Sequence, residues 1–283
     1  MKSFKITKSL GLFCLSLSFI ASVVLIANFN FVNAQSNTIT HPLQSTSNSN
    51  NNISSTNIKN IILVHGAFSD GSAWSQVIPI LEKAGHRVIA VQLPEHSLSD
   101  DVATVKRAID FVNGPSILVG HSYGGLVISN AAYNNPNVKG LVFIAALALK
   151  DGQSYSDIVD VKKIPKDLFV ADKGGFIYIN STKFHDFFAQ DVNLSQSNIM
   201  AAVQKPINQS ILAQKSGPPA WTQIPSWYQI SENDHSIPPS LQQMFAKQIN
   251  ATTISIPSSH ASLVSHPKEV AQLILNATKD IRK

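Results

Sequence analysis

The chain has 283 residues, is 44% hydrophobic and 14% charged, and carries 22 Lys and Arg against 17 Asp and Glu, a formal charge of +5. Such a length and apolar content suit one large α/β domain with a substantial core. Lys2, Lys5 and Lys8 supply three of those charges, which leaves the remainder near +2 with no Lys/Arg cluster and excludes a nucleic-acid footprint.

Residues 1–34 combine the three lysines, an apolar run from Leu10 to Ile26, and Val32-Asn33-Ala34 before Gln35. These are the n-region, h-region and small-residue cleavage site of a secretory signal, with cleavage expected after Ala34. The run also approaches the shortest membrane span, so the alternative is an uncleaved anchor that tethers the protein to a membrane. Either reading places the rest of the chain outside the cytoplasm. The only cysteine, Cys14, falls within this segment, so the exported protein has no disulfide. Residues 35–59 are dominated by Asn, Ser and Thr and read as a disordered linker, because they hold too little apolar surface to offset ordering entropy.

From residue 60 to 283 the pattern is that of a catalytic domain. Ile61 to Val64 reads as a buried strand ending in His65-Gly66-Ala67-Phe68, followed by a helix from Trp74 to Ala84. Arg87 to Leu93 makes the next strand. A helix capped by Ser99 or Asp100 then runs to Val112, with Val102, Val105, Ala108, Ile109 and Val112 on one face. Ile117 to Val119, Lys139 to Leu147, Ser226 to Ile230 and Thr252 to Ile256 supply four more strands, with helices from Pro238 to Ile249 and Pro267 to Ile281. Strands apolar throughout and separated by helices imply a parallel sheet covered on both faces. Residues 148–225 interrupt this order; they read as irregular, rich in aromatics, and are expected to form a cap over the site.

Gly120-His121-Ser122-Tyr123-Gly124 lies between the Ile117 strand and a helix-like run from Leu126, the context a strained nucleophile turn requires. A serine hydroxyl needs a base to take its proton, and the base needs a carboxylate to fix its tautomer. His260, directly after the last strand, is preferred to His266 as base; Asp234, after the Ser226 to Ile230 strand, is preferred to Glu232 as acid. The order Ser122, Asp234, His260 is that of the α/β-hydrolase fold. Oxyanion donors are expected at the N–H groups of Tyr123 and of Ala67, with Phe68 the alternative to Ala67. His65 is read as a brace for its loop and His121 as a support for the turn.

Taken together, Val64 to Phe68 with Gly71-Ser72-Ala73-Trp74, Gly120 to Gly125, Asp234 with Ile237-Pro238-Pro239, and Ser259-His260-Ala261 resemble the α/β-hydrolase superfamily, in its small-esterase branch related to plant methylesterases and hydroxynitrile lyases. The resemblance implies about six mostly parallel strands flanked by helices, without the first two strands of the full fold. It also implies a Ser122, His260, Asp234 triad that cleaves carboxylic esters through an acyl-enzyme, with no cofactor and no metal. A small apolar ester is the expected substrate. Hydroxynitrile lyases of this branch carry lysine after the catalytic histidine and threonine in the oxyanion loop; Ala261 and Gly66 stand there in this chain, which counts against a lyase. A cofactor-independent haloperoxidase or dioxygenase on the same scaffold, or a ligand-binding protein with a retained triad, are the alternatives.

Overall fold

Apolar residues on both sides of a strand require cover on both sides, and that requirement builds this molecule. The structure, a computed structural model, describes residues 58–159 and 164–281. The signal and almost all of the linker expected in residues 1–59 lie outside the described residues. The strands are β1 (Asn60–Val64), β2 (Arg87–Ala90), β3 (Ser116–His121), β4 (Val138–Ile144), β5 (Phe169–Ala171), β6 (Phe176–Ile179), β7 (Ile207–Asn208), β8 (Ser226–Ser231) and β9 (Thr252–Ile256). The helices are α1 (Ile78–Lys83), α2 (Leu98–Val112), α3 (Tyr123–Ala131), α4 (Ser181–Phe188), α5 (Leu194–Val203), α6 (Pro239–Gln248), α7 (Ser262–Ser265) and α8 (Pro267–Asp280).

Six strands form one parallel sheet in the order β2-β1-β3-β4-β8-β9. Alternation sorts its side chains. Ile62, Val64, Leu118, Leu141, Phe143 and Tyr228 pack with residues of α2, α3 and α6, while Ile61, Leu63, Ile117, Val119, Val142 and Trp227 pack with residues of α1 and α8. Each fully buried aliphatic side chain of this kind contributes roughly 1.5–3 kcal/mol. The strand order reverses direction at β1, whose neighbours are β2 and β3, and Val64 is in register with Gly120. Loops leaving β1 and β3 therefore emerge side by side at the carboxyl edge, where open α/β sheets hold their ligands.

Local chemistry moved some boundaries. The helix expected over Trp74 to Ala84 is split into a 3₁₀ turn at Gly71–Trp74 and α1, whose first turn takes up Pro79, a residue without an N–H. Ser97, not Ser99 or Asp100, caps α2: its backbone is extended and its hydroxyl accepts the Asp100 N–H at 3.1 Å. Between β4 and β8, the segment read as irregular contains an antiparallel sheet in the order β5-β6-β7, together with α4 and α5. Leu168, Ile179, Phe184, Phe188, Ala189 and Val192 form the small core of this cap, and Ala261 joins them from the main domain.

Candidate active site

Strand β3 ends at His121 and α3 starts at Tyr123, so Ser122 makes the whole turn, with φ 52° and ψ −122°. A non-glycine residue held there costs about 1–3 kcal/mol and needs external restraint. The restraint is main-chain: Ser122 N–H donates to Ile144 O at 3.1 Å, and Ser122 O accepts from Gly125 and Leu147 N–H at 3.1 and 3.0 Å. Both flanking glycines are forced by space. A Cβ on Gly120 would lie 2.5 Å from Gly124 O, and one on Gly124 2.6 Å from Val64 O. The result is a serine that lines a cavity instead of pairing with its own helix.

Asp234 leaves the loop after β8 fully hydrogen-bonded. Its Oδ1 accepts from the Ser236 and Ile237 N–H groups at 2.7 and 2.9 Å, and its Oδ2 from Gln242 Nε2 at 2.8 Å and His260 Nδ1 at 2.6 Å. An ionised carboxylate only accepts, so Nδ1 of His260 carries the proton and Nε2 presents its lone pair. That nitrogen is buried and hydrogen-bonded to nothing among the described residues, the Ser122 hydroxyl included. The structure thus joins Asp234 to His260 and leaves Ser122 unbonded to the imidazole. Phe188 packs edge-on against the same ring, with centroids 4.8 Å apart. Glu232 is exposed and His266 sits at the start of α8, bonded to Ser265 Oγ at 2.9 Å, so neither competes for these positions.

The β1 loop passes so close that a Cβ on Gly66 would stand 2.6 Å from Ser122 Cβ and 2.9 Å from His121 Nδ1. A threonine therefore has no room at this position. Gly66 O accepts from His65 Nδ1 and Ser69 Oγ, both at 2.9 Å. Leu93 N–H donates to His65 Nε2 at 3.0 Å, which fixes the other ring nitrogen as the proton carrier. Burial lowers His65 to about 4, so it braces the loop as a neutral ring. His121 donates from Nε2 to His260 O at 2.9 Å, and burial, with His260 nearby, holds its pKa well below the ordinary value. The N–H groups of Ala67 and Tyr123 make no hydrogen bond among the described residues.

Sequence reasoning passed over Asp101 and Gln242. Asp101 is buried on α2, where its Oδ2 accepts the Tyr123 hydroxyl at 2.6 Å and its Oδ1 the Glu95 N–H at 2.8 Å. Burial raises its pKa, and the two bonds pull it partly back. Tyr123 is raised well above its ordinary value, first by burial and then by the Asp101 charge. An acid within the apolar stripe Leu98, Val105, Ile109 and Val112 is the signal that could have revealed Asp101. Gln242 gives no such signal, since an amide on an amphipathic helix usually faces solvent.

A cavity of about 340 Å³ opens over Ser122 between the sheet edge and the cap, walled by Ala67, Phe68, Tyr123, Phe169, Phe187 and Phe188 among others. Its other walls include Leu126, Leu147, Ile207 and Ile211, so its surface is largely apolar. No group of His, Cys, Asp and Glu among the described residues is arranged to hold a metal ion.

The model of the alpha/beta hydrolase family matches residues 61–273. The chain belongs to that family. An alpha/beta hydrolase of Aspergillus novofumigatus, nvfD, is 25% identical over 240 residues, covering 77% of this chain and 95% of the relative. A pyrethroid hydrolase of Sphingobium wenxiniae is 26% identical over 252 residues, covering 77% and 86%. Among solved structures, an extracellular hydrolase from a Paenibacillus species shares the fold with a TM-score of 0.68 at 24% identity, covering 77% of this chain and 98% of that one. Plant methylesterases and a polyneuridine aldehyde esterase are also relatives, which puts this alpha/beta hydrolase in the family's esterase branch.

Proposed function

We propose that this hydrolase is an exported serine esterase in which Ser122 is the nucleophile, His260 the general base and acid, and Asp234 the carboxylate that orients the base. The observation that carries the reading is the lone pair on His260 Nε2, fixed by the 2.6 Å bond from Nδ1 to a saturated Asp234, in a domain whose Ser122 is strained toward a cavity. Once the Ser122 hydroxyl comes within hydrogen-bond reach of Nε2, Oγ attacks the ester carbonyl and the imidazole takes its proton. Negative charge on the carbonyl oxygen is met by the N–H groups of Ala67 and Tyr123, which have no other partner among the described residues. The imidazolium returns the proton to the departing alcohol, and water attacking the acyl-enzyme through the same base releases the acid and regenerates Ser122.

A cavity of about 340 Å³ with aromatic walls suits an ester carrying a bulky apolar or aromatic group. A relative named for pyrethroid hydrolysis fits that class. Export rests on residues 1–34, and N-terminal sequencing of the secreted protein is expected to begin at Gln35; a retained Met1 at the membrane instead identifies the segment as a tether. The mechanism is tested by labelling with a fluorophosphonate probe. Wild type is expected to be modified on Ser122 and to lose ester turnover in step, whereas turnover that survives full labelling removes Ser122 from the chemistry.

A further inference from the structure

We propose that Asp101 is a positioning residue for both oxyanion donors, acting on Tyr123 through its phenol and on Ala67 through the loop that follows β2. This inference rests on the serine mechanism above and adds to it a carboxylate that touches neither substrate nor base. Tyr123 is the first residue of α3, so its N–H direction depends on how that residue is rotated relative to the Ser122 turn. The phenol is a stiff lever with two torsions, and its far end is fixed on α2 by the 2.6 Å bond to Asp101 Oδ2.

The second branch starts at Oδ1, which holds Glu95 N–H at 2.8 Å. Glu95 has φ 59°, a left-handed conformation that a non-glycine residue keeps only under restraint. Two residues earlier, Leu93 N–H bonds His65 Nε2, and His65 Nδ1–H bonds Gly66 O. In a trans peptide the C=O and the following N–H point in opposite directions. Holding Gly66 O on the His65 side therefore turns Ala67 N–H to the other side. Two contacts from the cap, Lys205 Nζ to Leu93 O and Asn208 N–H to Glu95 O at 3.0 Å, close on this same loop. Asp101, Glu95, His65 and Tyr123 are all buried, so these bonds compete little with water.

The test measures kcat and KM of Tyr123→Phe, Asp101→Ala, Asp101→Asn and the double variant Tyr123→Phe/Asp101→Ala on a short p-nitrophenyl ester, with inhibition by phenylboronic acid as a mimic of the tetrahedral intermediate. Removing an oxyanion donor outright costs about 10²–10³ in kcat. Misdirecting one is expected to cost about tenfold in Tyr123→Phe, and Asp101→Ala, which releases both, at least that much, with KM within about twofold and boronate affinity weakened by the same factor as kcat in each. The double variant is expected to be no slower than Asp101→Ala, because that change already cuts the one connection that Tyr123→Phe removes. Asp101→Asn still offers an amide oxygen to Glu95 N–H and a polar partner to the phenol, and is expected to keep at least about a third of kcat.

A purely structural role lowers the melting temperature and leaves the turnover of the folded fraction and its boronate affinity unchanged. That result overturns the proposal, as does a loss confined to KM or a double variant whose losses multiply. If Asp101→Ala fails to fold, Tyr123→Phe and Asp101→Asn carry the comparison. Fluorophosphonate labelling separates the two levels: a labelled Ser122 with unaltered turnover in Tyr123→Phe breaks only the positioning role. An unlabelled Ser122 in an active wild type breaks the serine mechanism beneath it.

Discussion

The sheet and the cap of this hydrolase hold together in different ways. The sheet is built around β1, β3, β4 and β8, whose residues are almost all buried, and Val119, Val142 and Phe143 are completely so. Its geometry is set by the register of parallel strands, and the proposed nucleophile, acid and base all leave its carboxyl edge. The cap has three strands of two to four residues, a cluster centred on Phe184 and Phe188, and a seam to the main domain in which Ile177, Ile207 and Ile211 pack into the main core and polar contacts add to them. Asp191 Oδ2 accepts the Ser259 N–H at 2.9 Å, and Gln190 Nε2 donates to Asn233 O, so the cap grips the residues just before the base and the acid. On the proposed mechanism the contrast teaches that the sheet edge holds the groups that break bonds, while the cap supplies most of the aromatic wall of the cavity they face.

The largest expected effect tests whether chemistry belongs to the sheet edge alone. Ser122→Ala and Asp234→Asn are each expected to lower kcat about 10⁴-fold or more while leaving the melting temperature within a few degrees of wild type. Retention of a tenth of wild-type kcat in either variant places the chemistry elsewhere. Next in size is a pair of truncations that compares the two regions directly. Phe143→Ala, in the sheet, is expected to cost about 3–5 kcal/mol of global stability by urea denaturation. Phe184→Ala, in the cap, removes a side chain just as buried and is expected to loosen the cap while leaving the urea midpoint of the sheet nearly in place. Equal midpoints for both variants, well below wild type, break the distinction.

A smaller effect sharpens it. Phe187 lines the cavity and meets Phe169 edge-on at 6.1 Å, and Phe169 in turn stacks on Phe68 at 5.6 Å. Phe187→Ala is expected to raise KM about tenfold for a bulky aromatic ester and to leave kcat within about twofold, with little change for an acetate. The smallest effect is a pH dependence behind the oxyanion loop. Burial raises the Glu95 carboxyl from 4.5 to about 9, so the folded protein keeps a proton that the unfolded chain releases across that range. Stability from this group is full below pH 4.5 and falls as the pH climbs toward 9. Glu95→Gln removes the dependence, and its melting temperature is expected to match wild type near pH 4.5 and exceed it by about 2–4 °C or more at pH 9.

Legibility in the sequence follows the same division. Ile61 to Val64, Ile117 to Val119 and Leu141 to Ile144 announce themselves because continuous apolar runs between helices have few other uses, and the order of the loops that follow them can be read along the chain. Phe176–Ile179 and Ile207–Asn208 do not, since alternation over two to four residues cannot be told from chance, and their pairing is between segments some thirty residues apart. Ser122, Asp234 and His260 stand out by type, order and position after strands. Gln242, which bonds the Asp234 carboxylate, and Asp101, which accepts the Tyr123 hydroxyl, are helix residues whose contacts arise only when separate elements meet. The unbonded Nε2 of His260 is likewise a matter of side-chain placement, which no spacing encodes.

Strand β9 is the last in the sheet, paired on one side only, and Thr252, Thr253 and Ser255 along it are exposed. The proposed base hangs from the end of this outermost strand, whereas Ser122 hangs from β3 near the middle. Margins fray before interiors, so warming is expected to silence turnover several degrees below the temperature at which the central strands let go, and cooling from that window restores it. The hydrolase would then carry its own thermal fuse, placed at the rim of an otherwise intact scaffold.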